Sequence, residues 1–119
     1  MADPNIFNTT VITGNTAVQN VTTVLTSVVS NAAASGRVYR VNSLIVANVD
    51  GVNAADVTVD LFRSSIAYRL ASTVTVPADA SLVVISRENS IYLQEGDALR
   101  CAASANNDLI AVCSFDNIA

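Results

Sequence analysis

The sequence predicts an all-β fold, a single jelly-roll-like β-sandwich of about eight strands over residues 11–119, preceded by an extended N-terminal arm over residues 1–10. Three observations predict it. Valine and threonine recur along the chain, and β-branched side chains fit pleated strands better than helices. Apolar runs of roughly five to ten residues are broken at regular spacing by Gly, Asn, Asp and Pro, the punctuation of a sandwich or barrel. The segments between those runs are too short for the helices of a βαβ chain. At 119 residues the chain is one domain, large enough for a core without staples.

The elements follow in order. In the arm, Pro4, Asn5 and Asn8 discourage regular structure, and Ile6 and Phe7 are its apolar anchors. Val11-Ile12-Thr13 reads as a short strand stopped by Gly14-Asn15. Residues 18–30 carry two patterns. Val18, Val21, Leu25, Val28 and Val29 match helical spacing with Thr16 as a cap, but the dominance of Val and Thr favours strand. Asn31 to Gly36 is a small-residue turn. The run from Val38 to Val49 is the strongest strand, apolar on both faces in its second half and suited to a bulge near Asn42. Asp50-Gly51 ends it.

From Val57 to Arg63 the alternation is clean, with Val57, Val59 and Leu61 on one face and Thr58, Asp60 and Phe62 on a face expected to meet solvent. Ser64-Ser65 turns this strand into a hairpin with Ile66-Tyr68-Leu70. Pro77 confines the end of the next run to an edge or loop. Leu82 to Ile85, Ile91 to Leu93 and Leu99 to Ser104 are further strands. Asn106-Asn107-Asp108 is expected to close a tight hairpin onto the run from Leu109 to Phe115.

Composition excludes several function classes. Apolar residues make up 51% and charged residues 13%, about half the usual share of charge. Such a surface suits stable protein–protein contact more than life as a free monomer. The net charge is −4, and the six basic residues, Arg37, Arg40, Arg63, Arg69, Arg87 and Arg100, are scattered. No basic stripe for nucleic acid and no polybasic membrane patch exists. The first residues lack the basic and apolar segments of a signal peptide, and no apolar run is long enough to span a bilayer, so synthesis in a cytoplasm with reduced thiols is expected.

No constellation reads as catalytic. The chain has no histidine and no lysine, which removes the usual base of Ser or Cys triads and all lysine chemistry. The carboxylate pairs that remain are Asp56 with Asp60, read as part of a solvated face, and Glu95 with Asp97, read as a reverse turn around Gly96. Asp50, Asn53, Asp56, Asp97, Asn107 and Asp108 are oxygen donors suited to calcium, but their spacing matches no ligand loop, so neither a metal nor a cofactor is expected. Tyr39, Tyr68 and Tyr92 are too few for a convincing sugar platform. Cys101 and Cys113 flank the last hairpin and read as buried, reduced thiols, a strained disulfide being the alternative.

Five stretches carry a resemblance: Ser90-Ile91-Tyr92-Leu93-Gln94-Glu95-Gly96-Asp97-Ala98-Leu99-Arg100, then Ala102-Ala103-Ser104-Ala105-Asn106-Asn107-Asp108-Leu109, the ending Ser114-Phe115-Asp116-Asn117-Ile118, and upstream Val46-Ala47-Asn48-Val49-Asp50-Gly51 and Val76-Pro77-Ala78-Asp79-Ala80-Ser81-Leu82-Val83-Val84. With these, residues 5–119 resemble the small virion structural proteins of tailed phages, particularly those of marine cyanobacteria. The resemblance implies a non-enzymatic capsid decoration or cement protein, assembled in the host cytoplasm. Its implied partners are the major capsid protein or other virion proteins, and it implies a homo-oligomer such as a trimer. The competing reading is a neck, tail or fibre component that binds a host receptor or glycan. The arm residues Ile6 and Phe7 can order on binding to a neighbour. Arginines such as Arg37, Arg40, Arg63 and Arg69 suit interface pairing, because the planar guanidinium is readily desolvated.

Overall fold

The computed structural model describes residues 11–119, and the arm lies outside the described residues. Nine strands form two antiparallel sheets. They are β1 (Ile12–Val21), β2 (Thr26–Ser30), β3 (Val38–Asn48), β4 (Ala55–Arg63), β5 (Ile66–Val76), β6 (Ser81–Ile85), β7 (Ile91–Leu93), β8 (Ala98–Ala103) and β9 (Leu109–Ile118). Sheet I runs β1-β9-β3-β6, with β7 also paired to β3; sheet II runs β2-β8-β4-β5. β6 lies against Leu44–Ala47 and β7 against Tyr39–Val41 on one side of β3, separated by a 3-10 turn at Arg87–Asn89. The nine strands therefore fill eight rows, an arrangement compatible with a jelly roll.

The core lies between the sheets. Leu44, Val46 and Val41 of β3, Val57 and Val59 of β4, Leu93, Leu99 and Leu109 are fully buried. Val57, Val59 and Leu61 all turn to this core, as their alternation requires. A register shift between Val41 and Ser43 against β9 places a bulge at Asn42. Ser64 (φ 53°) and Ser65 (φ 62°) make the β4–β5 hairpin turn with two left-handed residues, the twist that suits a two-residue connection.

Three local expectations are corrected. Gly14-Asn15 does not stop the first strand. β1 continues to Val21, because Gly14 faces Asp116 and Asn15 faces Phe115 in an unbroken ladder with β9. Residues 18–30 are strand, but they break at Thr22 to Leu25 and pass from sheet I to sheet II. β8 and β9 are not a hairpin, since β8 pairs with β2 and β4 while β9 sits between β1 and β3. Each is central in its own sheet with a ladder on both sides, so the chain crosses from sheet II to sheet I between them.

Two buried asparagines pin the ends of the sandwich. Asn48 donates from Nδ2 to the carbonyls of Asn53 (3.0 Å) and Val76 (2.9 Å), and its Oδ1 accepts from the Asp50 amide (2.9 Å). At the opposite end, Asn31 donates to the carbonyls of Arg37 (2.9 Å) and Leu93 (3.0 Å) and accepts from the Ser35 hydroxyl (2.6 Å). Each ties loops of both sheets together by satisfying backbone groups that would otherwise be buried without partners.

Candidate interaction surface

Sheet I has an outer face, turned away from the core, and its sequence is unusual there. Antiparallel register sets Val18 opposite Val112, Val112 opposite Ile45, and Ile45 opposite Val83. Residues opposed in this way share a face. Their strand neighbours Ala17, Ala111, Cys113, Leu44, Val46 and Leu82 turn inward. The result is a β-branched stripe across four strands. Its ends are open to solvent, Val18 at 68% and Val83 at 58% exposure. The adjoining rows hold Asn20, Ile110, Ala47 and Ser81 on one side and Thr16, Ser114 and Ser43 on the other. None is charged. Charge enters this face only farther along, where Arg40 stands opposite Asp116.

Both edges of sheet I are also free of charge, since β1 and β6 contain no Asp, Glu or Arg. Edge strands of monomers are commonly guarded by charge or proline. An uncharged apolar stripe ending at two unguarded edges is a surface suited to contact with another protein.

Three charged residues of sheet II, Asp60, Arg63 and Arg100, are held in ion pairs within the chain. Asp60 is fully buried and faces Arg100, whose Nε and Nη2 donate to Oδ1 (2.8 Å) and Oδ2 (2.7 Å). The Arg100 guanidinium also lies 4.0 Å from the centre of the Phe62 ring. The solvent-facing row expected for Thr58, Asp60 and Phe62 is therefore corrected at Asp60. The alternation holds, but β4 is central and Arg100 lies across it. Hydrogen bonding to Asp60 raises the Arg100 pKa above its ordinary value.

Arg63 pairs with buried Asp97 (Nη2 to Oδ2 2.6 Å), and Oδ2 also accepts from the Gln94 amide (2.8 Å). The Asp97 amide bonds the Gln94 carbonyl (3.0 Å) and Gly96 takes φ 87°, so Glu95-Gly96-Asp97 is a reverse turn. Asp50 caps its own loop, accepting from the amides of Val52 (2.8 Å) and Asn53 (3.3 Å), which holds its carboxyl below the usual range. Among the described residues no three His, Cys, Asp or Glu side chains gather to hold a metal.

Of the residues expected at an interface, Ile6 and Phe7 lie outside the described residues. Arg37 and Arg69 are exposed and Arg40 is half-buried, while Arg63 is 39% exposed and tied to Asp97. Arg37 and Arg40 belong to sheet I and the loop before it, Arg63 and Arg69 to the β4–β5 hairpin of sheet II. The fold does not gather these four into one patch.

Cys101 and Cys113 are free and buried, one on each sheet. Burial pushes both thiols up, to about 12 from 9.0. Between those values the folded chain holds protons that the unfolded chain has lost, so stability falls as pH rises through that window. The urea midpoint is expected to drop between about pH 8 and about pH 10.5, and most of that drop to vanish in Cys101→Ala/Cys113→Ala. In the native protein neither thiol should react with a thiol reagent near neutral pH.

No protein-family model matches the chain, and no curated protein matches it. Solved structures do. A chain from Bacillus endospore appendages, described as disulfide-linked pili, shares 13% identity and a TM-score of 0.55, with 99% of this chain and 96% of that one covered. A chain from the acid-stable capsid of Helicobacter pylori bacteriophage KHP30 shares 9% identity and a TM-score of 0.52, covering 93% and 90%. At these identities the likeness is one of fold: this two-sheet sandwich is similar, over nearly its whole length, to chains of a phage capsid and of a bacterial appendage.

Proposed function

We propose that this chain is a non-enzymatic structural protein of a phage particle that decorates and stabilises the capsid shell. The observation that carries the proposal is the uncharged stripe Val18–Val112–Ile45–Val83 on the outer face of sheet I. That face is placed against the shell, and burying it removes apolar surface from water without desolvating a charge. The arm, through Ile6 and Phe7, reaches a neighbouring subunit, and the exposed Arg37 and Arg69 pair at the rim. Both cysteines of the sequence are buried. The disulfide linkage that describes the endospore appendages is not open to them, which favours non-covalent assembly and the capsid reading.

The test is cosedimentation of the purified protein with shells that lack it. Val18→Arg/Val83→Arg is expected to weaken shell binding by about tenfold or more, because it puts charge at both ends of the stripe. Unchanged binding by that variant overturns the assignment of the face. Antibody labelling of intact virions only at the tail overturns the capsid reading in favour of a neck, tail or fibre component.

A further inference from the structure

One patch on the outer face of sheet I is buried although the core does not bury it. Val38 of β3 stands opposite Ile118 of β9, and Ile118 opposite Ile12 of β1. The next row, Tyr39, Asn117 and Thr13, shares the face of Phe115 and Cys113 that turns to the core, so Val38 and Ile118 turn away from it. Both are nevertheless buried, at 4% and 6% exposure, and neither belongs to the core between the sheets. On the same two strands and the same face, Ile45 and Val112 lie in mid-sheet and stay partly open to solvent. Residues at a strand end have fewer neighbours than these, so an uncovered Val38 and Ile118 would be more open. The cover is none of the nine strands, because sheet II packs on the other side.

The patch continues to a half-buried arginine. Arg40 is next along that face, opposite Asp116, and its Nε is buried with no hydrogen-bond partner among the described residues. A buried donor without an acceptor costs free energy, so a cover that brings oxygen atoms is favoured. The chain that leaves from this corner brings both kinds of group. Val11 is bonded to Ala119 through its amide (3.4 Å) and its carbonyl (2.9 Å), directly beside Ile118. Before it stand the apolar Ile6 and Phe7, and Asp3 and Asn8 with side-chain acceptors. Phe7 is four residues from Val11, an extended reach of about 13 Å. Val38 lies two strand spacings from β1, about 10 Å.

We propose that in the free protein residues 1–10 fold back over this corner of their own sheet I, seating Ile6 and Phe7 on Val38 and Ile118 and bringing an arm oxygen to Arg40 Nε. The occupant is the chain's own arm, because the patch is already buried within one copy. The row opens again at Ile12, 61% exposed, so the cover lies over β9 and β3. Burial of the two anchors holds the seat, and the acceptor for Arg40 fixes its register. The inference concerns the free chain and goes beyond the particle reading. On a shell, where the arm reaches a neighbouring subunit, it first leaves this seat.

The experiment is paramagnetic broadening in the isolated full-length protein. Cys101 and Cys113 are buried, so a nitroxide reagent near neutral pH attaches only at an introduced Asn5→Cys. With the nitroxide on nitrogen-15-labelled chains, the amide signals of Val38, Arg40, Asp116 and Ile118 are expected to be lost. Those of Asn48 and Leu109, at the other ends of β3 and β9, should stay sharp. When nitroxide-bearing chains without the isotope are mixed with isotope-labelled chains without nitroxide, all of these signals should persist. Adding Ile6→Ser/Phe7→Ser to the nitroxide-bearing chain should restore the lost signals, with those of the core strands unmoved. Signals at Val38 and Ile118 that stay sharp in the first sample overturn the proposal. So does their loss in the mixed sample, which assigns the cover to another copy's arm, and so does loss that persists without Ile6 and Phe7. No shell is present in these samples, so failure here and failure of cosedimentation are recognised separately.

Discussion

Asp60→Ala is expected to destabilise the protein by about 3–5 kcal/mol, the cost of leaving a buried charge without its partner. Asp60 has no exposed surface and receives both arms of the Arg100 fork. Removing the carboxylate leaves Arg100, only 19% exposed, without the acceptors of its Nε and Nη2. The Phe62 ring below the guanidinium offsets only part of this, about 1–2 kcal/mol. Replacing both partners by apolar residues, as in Asp60→Leu/Arg100→Met, should restore most of the loss, because no charge then remains to be desolvated. Chemical denaturation of the two single variants and the double variant closes the cycle. A single-variant cost below about 1 kcal/mol would show that Arg100 reaches water once Asp60 is gone.

Asn48→Ala should cost roughly 2–4 kcal/mol, with the damage confined to one end of the sandwich. The side chain makes three hydrogen bonds to backbone groups, at Asp50, Asn53 and Val76. Alanine leaves those groups unsatisfied in a buried setting and frees the loops at residues 49–54 and 77–80. Hydrogen exchange should therefore speed up at Asp50 and its neighbours and stay unchanged around Asn31, which anchors the other end. A uniform rise across the chain would mean that the two ends do not open independently.

Both effects arise at residues whose roles a single chain does not reveal. Asp60 sits in a row with Thr58 and Phe62 that alternates as a solvent face should. Only the pairing of β4 with β8 brings Arg100, 40 residues away in sequence, over it. Asn31 reads as the start of a small-residue turn and Asn48 as part of the Val38–Val49 strand, and neither reading marks a buried side chain. Their burial depends on loops of both sheets closing over them.

The strands themselves were largely legible. β-branched runs, the clean alternation of Val57, Val59 and Leu61 and the Ser64-Ser65 turn all act through neighbours in sequence, and they appear where the pattern places them. Local reasoning failed where a distant strand outvoted a local preference. Gly14-Asn15 would end a lone strand, yet ten consecutive pairings with β9 carry the ladder through them.

What the sequence by itself determined is the class of fold, the core-facing alternation, and the removal of histidine- and lysine-dependent chemistry. The tertiary structure alone decided which face of each strand meets water. Leu44-Ile45-Val46-Ala47, Leu82 to Ile85 and Leu109 to Val112 are apolar on both sides. In a two-layer sandwich only one side of each can meet the core, so the other is left outside. That Val18, Val112, Ile45 and Val83 line up into one stripe is a matter of register between strands far apart in sequence, and register is set by the assembled sheet.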